Sequence, residues 1–178
     1  MTPWGIKFIA RNRQGVEDNV LEVGSRIIRP GDDTKTIRGL FPNATRYVGT
    51  DVESGLSVDR VVSAYELTKL FPLASFDCVV SGDAIEHIED WKRSLEQMWA
   101  VLKTKGLLLL TTVSRGKRRH NYPDDFHRWD LADFEKIFRE QEIVALGRLN
   151  YFVGAAVIKK RDKLKLENVE VYRLPEGD

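Results

Sequence analysis

The sequence predicts an α/β chain built on a Rossmann-like, doubly wound, mostly parallel seven-stranded sheet with an antiparallel closing strand. Three observations predict it. Short aliphatic or β-branched runs alternate with amphipathic helical stretches from residue 19 to about residue 160. Two of those runs lack polar alternation, as strands covered on both faces do. The last two runs follow one another through a short connection, the pattern of an antiparallel pair.

Each element has a local reason. Residues 19–24 (NVLEVG) form the first strand and end on a glycine; residues 46–52 (RYVGTDV) form the second and 59–64 (DRVVSA) a shorter third. Residues 76–81 (FDCVVS) and 106–113 (GLLLLTTV) are the central strands, and 142–147 with 153–159 the closing pair. Between them a helix over 34–41 carries Ile37, Leu40 and Phe41 on one face, with Asp33 or Thr34 as its cap and Pro42 as its stop. A helix over 90–103 has an apolar stripe of Trp91, Leu95, Met98, Trp99 and Leu102, with Asp90 as N-cap and Lys103 and Lys105 near its C-terminal end. A third helix, 131–140, starts from Asp130, with Trp129 and Phe134 spaced as a hydrophobic staple.

The chain of 178 residues reads as one domain, 1–178, with a core over about 19–160 and a polar C-terminal extension over 161–178. The lone Cys78 rules out an internal disulfide framework and fits a reducing compartment. The stretch 1–15 has no leader-like apolar segment, and the longest aliphatic run, Leu107 to Leu110, is far short of a membrane span; a cytoplasmic protein is expected. Lys plus Arg number 28 against 27 Asp plus Glu, a balance that argues against a nucleic-acid binder working by bulk charge.

In open parallel sheets ligands bind beyond the carboxyl ends of the strands. Gly24 there allows close backbone approach, and Asp51, ending the second run, can accept both hydroxyls of a ribose. The polar loop 114–129 (SRGKRRHNYPDDFHRW) is too long for a simple connection, which places the substrate side there.

The ordered segments VLEVGS (20–25), YVGTDV (47–52), SFDCVVSGDAIEHIEDW (75–91) and VLKTKGLLLLTT (101–112) resemble a class I S-adenosylmethionine-dependent methyltransferase. HNYPDDFHRW (120–129) is similar to a segment of small type 11-like methyltransferase-domain proteins of polysaccharide and glycoconjugate synthesis. The resemblance implies S-adenosyl-L-methionine as cofactor. It puts Glu22, Gly24 and Ser25 along the methionine part, Asp51 on the ribose and Val52 on the adenine. Ser63, Ala64 and Tyr65 would lie at the adenine edge, and Ser81, Gly82 and Asp83 near the transferable methyl. The sequence departs from the family pattern at three places: Arg26 replaces the second glycine of the first motif, Ser63 an aspartate, and the segment Thr104, Lys105 and Gly106 a Pro-Gly-Gly turn.

For a hydroxyl acceptor, His120, His87 and Asp83 are the candidate bases, with His87 alternatively a structural residue of the turn before the next helix. Tyr122, Asp125 and Arg128 are candidate substrate contacts, Asp125 and Arg128 alternatively an ion pair that holds the loop. No metal is expected, because His120 and His127 lie seven apart across a loop containing Pro123 and no Cys or His pair has zinc-like spacing. The run Arg115, Lys117, Arg118 and Arg119 is either a solvated surface or an attractor of a phosphate on a nucleotide- or lipid-linked sugar.

The resemblance implies O-methylation of a sugar or other small, glycan-type acceptor. A non-catalytic cofactor-binding partner subunit is the alternative. A nicotinamide-type Rossmann enzyme fits less well, because Arg26 and Arg29 stand where its glycines belong. With no separate acceptor domain, acceptor choice falls to the 114–129 loop, the N-terminal arm or a second subunit, a homodimer being one arrangement that would supply it.

Overall fold

The computed structural model describes residues 1–13, 15, 18–28, 36–120 and 124–175. Nine strands and four α-helices are seen among them: α1 (Pro3–Asn12), β1 (Asn19–Val23), β2 (Arg46–Asp51), β3 (Arg60–Val61), α2 (Leu67–Leu70), β4 (Phe76–Gly82), α3 (Trp91–Val101), β5 (Leu102–Val113), β6 (His127–Arg128), α4 (Leu131–Ile137), β7 (Glu142–Leu149), β8 (Phe152–Ile158) and β9 (Tyr172–Arg173). Seven strands form one sheet in the order β3-β2-β1-β4-β5-β8-β7. The first five are mutually parallel, and β8 runs antiparallel to both β5 and β7. The predicted seven-stranded, doubly wound sheet is therefore the observed one.

Order matters for the site. From β1 the chain winds outward through β2 to β3, then returns to lay β4 and β5 on the other side of β1. The carboxyl ends of β1 and β4 flank the point where winding reverses, where ligands of such sheets sit.

Two apolar layers cover the sheet. On one face Trp91, Leu95, Met98 and Trp99 of α3 and Phe134 and Ile137 of α4 pack over Leu21, Val79, Leu108 and Leu110. On the other, Phe8 and Ile9 of α1, with Ile37 and Phe41, cover Val20, Cys78, Val80 and Leu109. No helix among the described residues is long and apolar enough to cross a membrane.

Several expectations are adjusted by tertiary context. The third strand is only Arg60–Val61, an exposed edge. The helix read over 34–41 is, within the described residues, a 3-10 turn at Arg38–Leu40; its proposed caps Asp33 and Thr34 lie outside them. Helix α3 stops at Val101 because Leu102 pairs with Phe76 and opens β5, so Lys103 sits in the strand and binds Asp77 at 2.7 Å. Helix α4 ends at Ile137. Helix α1 is an element beyond the expected ones: Thr2 caps Gly5 N, Pro3 stands in its first turn and Trp4 stacks on Phe8. The C-terminal segment is not simply polar: Leu164, Leu166, Val169 and Val171 are buried in the main core, and β9 pairs with β6.

The predicted capping of α4 is present in full. Asp130 and Asp133 form a reciprocal capping box, and Trp129 stacks on Phe134 with ring centroids 5.5 Å apart. Asp130→Ala is expected to cost about 1 kcal/mol. The thermal midpoint should fall by about 3 °C, read by circular dichroism.

Candidate active site

The site grows from the ends of β1, β2 and β4. Gly24 leaves β1 with φ +81°, and its N–H and that of Ser25 both donate to the Thr50 carbonyl, at 2.8 and 2.9 Å. A Cβ at Gly24 would lie 2.5 Å from Ala84 Cβ, so only glycine fits this turn between the first and fourth strand ends. Ser25 donates through Oγ to the Ser57 carbonyl at 3.0 Å, tying the turn to the loop after β2.

Asp51 closes β2. One carboxylate oxygen accepts from Arg26 N and the other from Glu53 N, each at 3.2 Å. Each oxygen retains a lone pair, and the side chain is 15% exposed, so a pair of hydroxyls can still be received. Arg26 also lies beside this carboxylate, with Nε 3.8 Å from Oδ1, and reaches Glu53 at 2.8 Å. Val52, next in the chain, is 63% exposed, an apolar surface beside the carboxylate. Ser63 Oγ accepts from Tyr65 N at 3.2 Å, Ala64 is buried, and the Tyr65 hydroxyl accepts from Asp90 N at 2.9 Å at the start of α3. Tyr65 thus supports a helix start.

Glu22 is buried beneath this rim and accepts a 2.6 Å hydrogen bond from the Tyr47 hydroxyl. Burial pushes its carboxyl from an ordinary 4.5 up to about 7, against the lowering effects of Tyr47 and Arg38 and with Asp59 adding to the rise. Because the folded value lies above the unfolded one, its contribution to stability is fully present below pH 4.5 and is lost as pH rises through about 7. Glu22→Gln stays neutral throughout. Its stability relative to the wild type should therefore rise by about 3 kcal/mol between acid and mildly alkaline pH. Urea titrations at both ends check this; parallel curves would contradict it.

At the end of β4, Ser81 Oγ is buried with no hydrogen-bond partner among the described residues. Gly82 faces the Met1 thioether: a Cβ there would lie 2.3 Å from Met1 Sδ and 2.7 Å from Ile37 Cδ1. Asp83, at φ +50°, accepts from Thr2 N at 2.7 Å and from the Thr111 hydroxyl at 3.1 Å. Through these two bonds it anchors the N-terminal segment to β4 and β5. The Gly24 turn, the partnerless Ser81 hydroxyl and the Gly82 cradle fit a bound nucleoside with an amino-acid tail, provided Met1 swings off Gly82.

The long loop folds back over the turn after β4. Phe126 N donates to the Glu86 carbonyl at 2.9 Å, and His87 Nδ1 lies 2.7 Å from the Asp124 carbonyl. His127 Nε2 is 2.9 Å from the Glu89 carbonyl, so it fastens the loop. His87 and His120 meet edge to face, centroids 4.7 Å apart. A carbonyl can only accept, so His87 carries its proton on Nδ1 and leaves Nε2 with a free lone pair. Burial, reinforced by His120 charge, holds the His87 pKa below the usual value despite the Asp124 bond.

Glu86 is buried beside them. It accepts from the Thr112 hydroxyl at 2.8 Å, and burial with the nearby Asp83 charge pushes its carboxyl up to about 8. In the sequence Glu86 stands after the fourth strand beside His87, a position that assigns it no role by itself.

Asp125 and Arg128 are the ion pair of the two readings offered above. Both are about 1% exposed, joined by two hydrogen bonds of 2.6 and 2.5 Å. Arg128 also donates to the carbonyls of Lys117, Arg118 and His127. Burial raises the Asp125 pKa, but Arg128 and the His120 N–H outweigh it and hold the carboxyl below its usual range. Tyr122, the third candidate contact, lies outside the described residues. Next to the pair, a cavity of about 530 Å³ is lined by Lys117, Arg118, Arg119, Tyr172 and Leu174.

The comparisons with known proteins bear on the family and the fold. Residues 5–159 match the family described as a methyltransferase domain. No curated protein matches the chain. Among solved structures, a chain from the complex of the Haloferax volcanii Trm112 methyltransferase activator is 15% identical, with a TM-score of 0.66 over 89% of this chain and 90% of that one. The N-methyltransferase NodS of Bradyrhizobium japonicum is 13% identical, with a TM-score of 0.63 over 89% and 95%. The 1,6-didemethyltoxoflavin-N1-methyltransferase of Burkholderia thailandensis, with S-adenosylhomocysteine bound, is 13% identical, with a TM-score of 0.62 over 89% and 77%. At these identities the likeness is one of fold. The family match runs from within α1 through β8 and takes in the full sheet and the three strand ends that build the site, and the chain belongs to the methyltransferase-domain family.

Proposed function

We propose that the chain is an S-adenosylmethionine-dependent methyltransferase that acts on a hydroxyl of a small, glycan-type acceptor bearing an anionic group. One observation carries the donor half: Gly24, Asp51 and Gly82 lie at the ends of the adjacent strands β1, β2 and β4, at the reversal of strand order. When bound, the cofactor supplies a methyl on a sulfonium that departs without acid assistance. The chain's part is to hold and align. Asp51 accepts the ribose hydroxyls, exposed Val52 packs on the adenine, and Gly24 lets the backbone approach the methionine portion. Bound S-adenosylhomocysteine in the Burkholderia thailandensis relative supports the same ligand class.

The acceptor half rests on the loop. Asp83 is tied to Thr2 and Thr111, whereas His87 Nε2 carries an open lone pair beside His120, and the His87–His120 pair handles the acceptor proton. The basic cavity at Lys117–Arg119 suits a phosphate on the acceptor. A compartment such as the cytoplasm supplies both donor and phosphorylated sugars. The test is transfer of labelled methyl from S-adenosylmethionine to a panel of sugar phosphates and their dephosphorylated counterparts. Label in the phosphorylated members, with KM raised by Lys117→Ala plus Arg118→Ala, supports the reading. Equal transfer to neutral sugars removes the anionic acceptor.

A specific observation favours a second reading, a donor-binding subunit without turnover. Arg26 lies against Asp51, and Met1 packs on Gly82. Binding of S-adenosylhomocysteine with no transfer to any acceptor would select it.

A further inference from the structure

We propose that Glu86, His87 and His120 form a binding site for a divalent transition-metal ion of the zinc class. One ligand atom from each residue lies within 4.8 Å of the others. The expectation of no metal rested on spacing along the sequence, with His120 and His127 seven apart on one loop. The fold instead brings His120 across to His87, which follows β4, and turns His127 away to the Glu89 carbonyl.

The donor set is two imidazoles and one carboxylate, the ligand types that zinc and its neighbours take in sites that keep an open coordination position. His87 Nε2 is 4.0 Å from Glu86 Oε1. Ligands at about 2.0–2.1 Å around a tetrahedral ion stand about 3.4 Å apart. Small side-chain rotations close that gap with no backbone change.

The surroundings resemble the outer shell of a metal site. A metal-bound histidine ordinarily gives its other N–H to a carbonyl or carboxylate. His87 does so through Nδ1 to the Asp124 carbonyl, aiming Nε2 at the cluster. His120 stands beside Asp125, with Nε2 3.6 Å from Oδ2 and its backbone N–H on the same oxygen at 3.1 Å. Glu86 Oε2 is held by the Thr112 hydroxyl, while its backbone carbonyl is held by Phe126 N. The glutamate is buried and His120 is partly exposed, so an ion would sit at the mouth of the turn with its free position toward the loop. On the function proposed above, the ion would take up the imidazole lone pairs and would replace the His87–His120 pair as base by acidifying an acceptor hydroxyl at its open position, the proton passing to water.

The test uses the full chain without a histidine tag. Zinc is titrated by calorimetry, and cobalt(II) is added as a spectroscopic substitute. The expected result is one ion per chain, visible d–d absorption from the cobalt form, and affinity weakened at least about 100-fold by His120→Ala and by His87→Gln. His127→Gln should bind as the wild type does. His120 is partly exposed, so its variant should fold even if Glu86→Gln does not. Absence of binding heat overturns the proposal, as does undiminished binding by the His87→Gln, His120→Ala double variant. S-adenosylhomocysteine titrated into the same preparation separates this outcome from failure of the methyltransferase reading.

Discussion

Arg128→Ala is expected to produce a large loss of stability, about 3–5 kcal/mol, because it strands the Asp125 carboxylate in a buried position. The guanidinium sits at 1% exposure with five hydrogen bonds, two to Asp125 and three to main-chain carbonyls of the loop and β6. Removing it takes away the partner of one buried charge and the donors of three carbonyls at once. The thermal midpoint should fall by about 10 °C. A double variant, Arg128→Met with Asp125→Leu, should lose less than the two single changes summed, since the stranded charge is gone. A loss under about 1 kcal/mol for Arg128→Ala would mean that the pair is open to water and free to meet substrate.

Asp51→Ala is expected to weaken S-adenosylhomocysteine binding at least about 100-fold, since two hydrogen bonds to a charged acceptor are worth about 1.5–3 kcal/mol each. Its carboxylate ends the second strand and accepts from two backbone N–H groups, with lone pairs left over. Asp51→Asn keeps one acceptor oxygen and loses one of the two backbone bonds, and should fall between. Calorimetry on the wild type and both variants checks the order. Equal affinity across the three would remove Asp51 from the donor site.

The parts of this molecule legible in the sequence are those set by local chemistry. The LEVG and VGTDV runs end their strands where their glycine and aspartate suggest, and Asp90 and Asp130 cap the helices they precede. What stayed hidden depends on contacts between distant segments. Helix α1 is buried through Phe8 and Ile9 against a sheet face completed only by strands far along the chain. Leu102 shows a helical stripe yet opens a strand, because pairing with Phe76 decides its state. Glu86 and His120 come together only when the loop folds onto the turn after β4. The polar look of 161–178 concealed Leu164, Leu166, Val169 and Val171, whose spacing fits neither a helical nor a strand period.

Arg26 and Met1 mark the two places where the site must give way to a donor. Arg26 stands where the family pattern has a glycine and reaches Asp51 and Glu53, and Met1 lies over Gly82. The most direct measurement is therefore a crystal structure of the chain grown with S-adenosylhomocysteine. The ribose hydroxyls are expected on Asp51, the adenine on Val52, and the homocysteine sulfur beside Gly82 with Met1 displaced. A ligand bound elsewhere, or a chain unchanged at saturating ligand with Met1 still on Gly82, would contradict it.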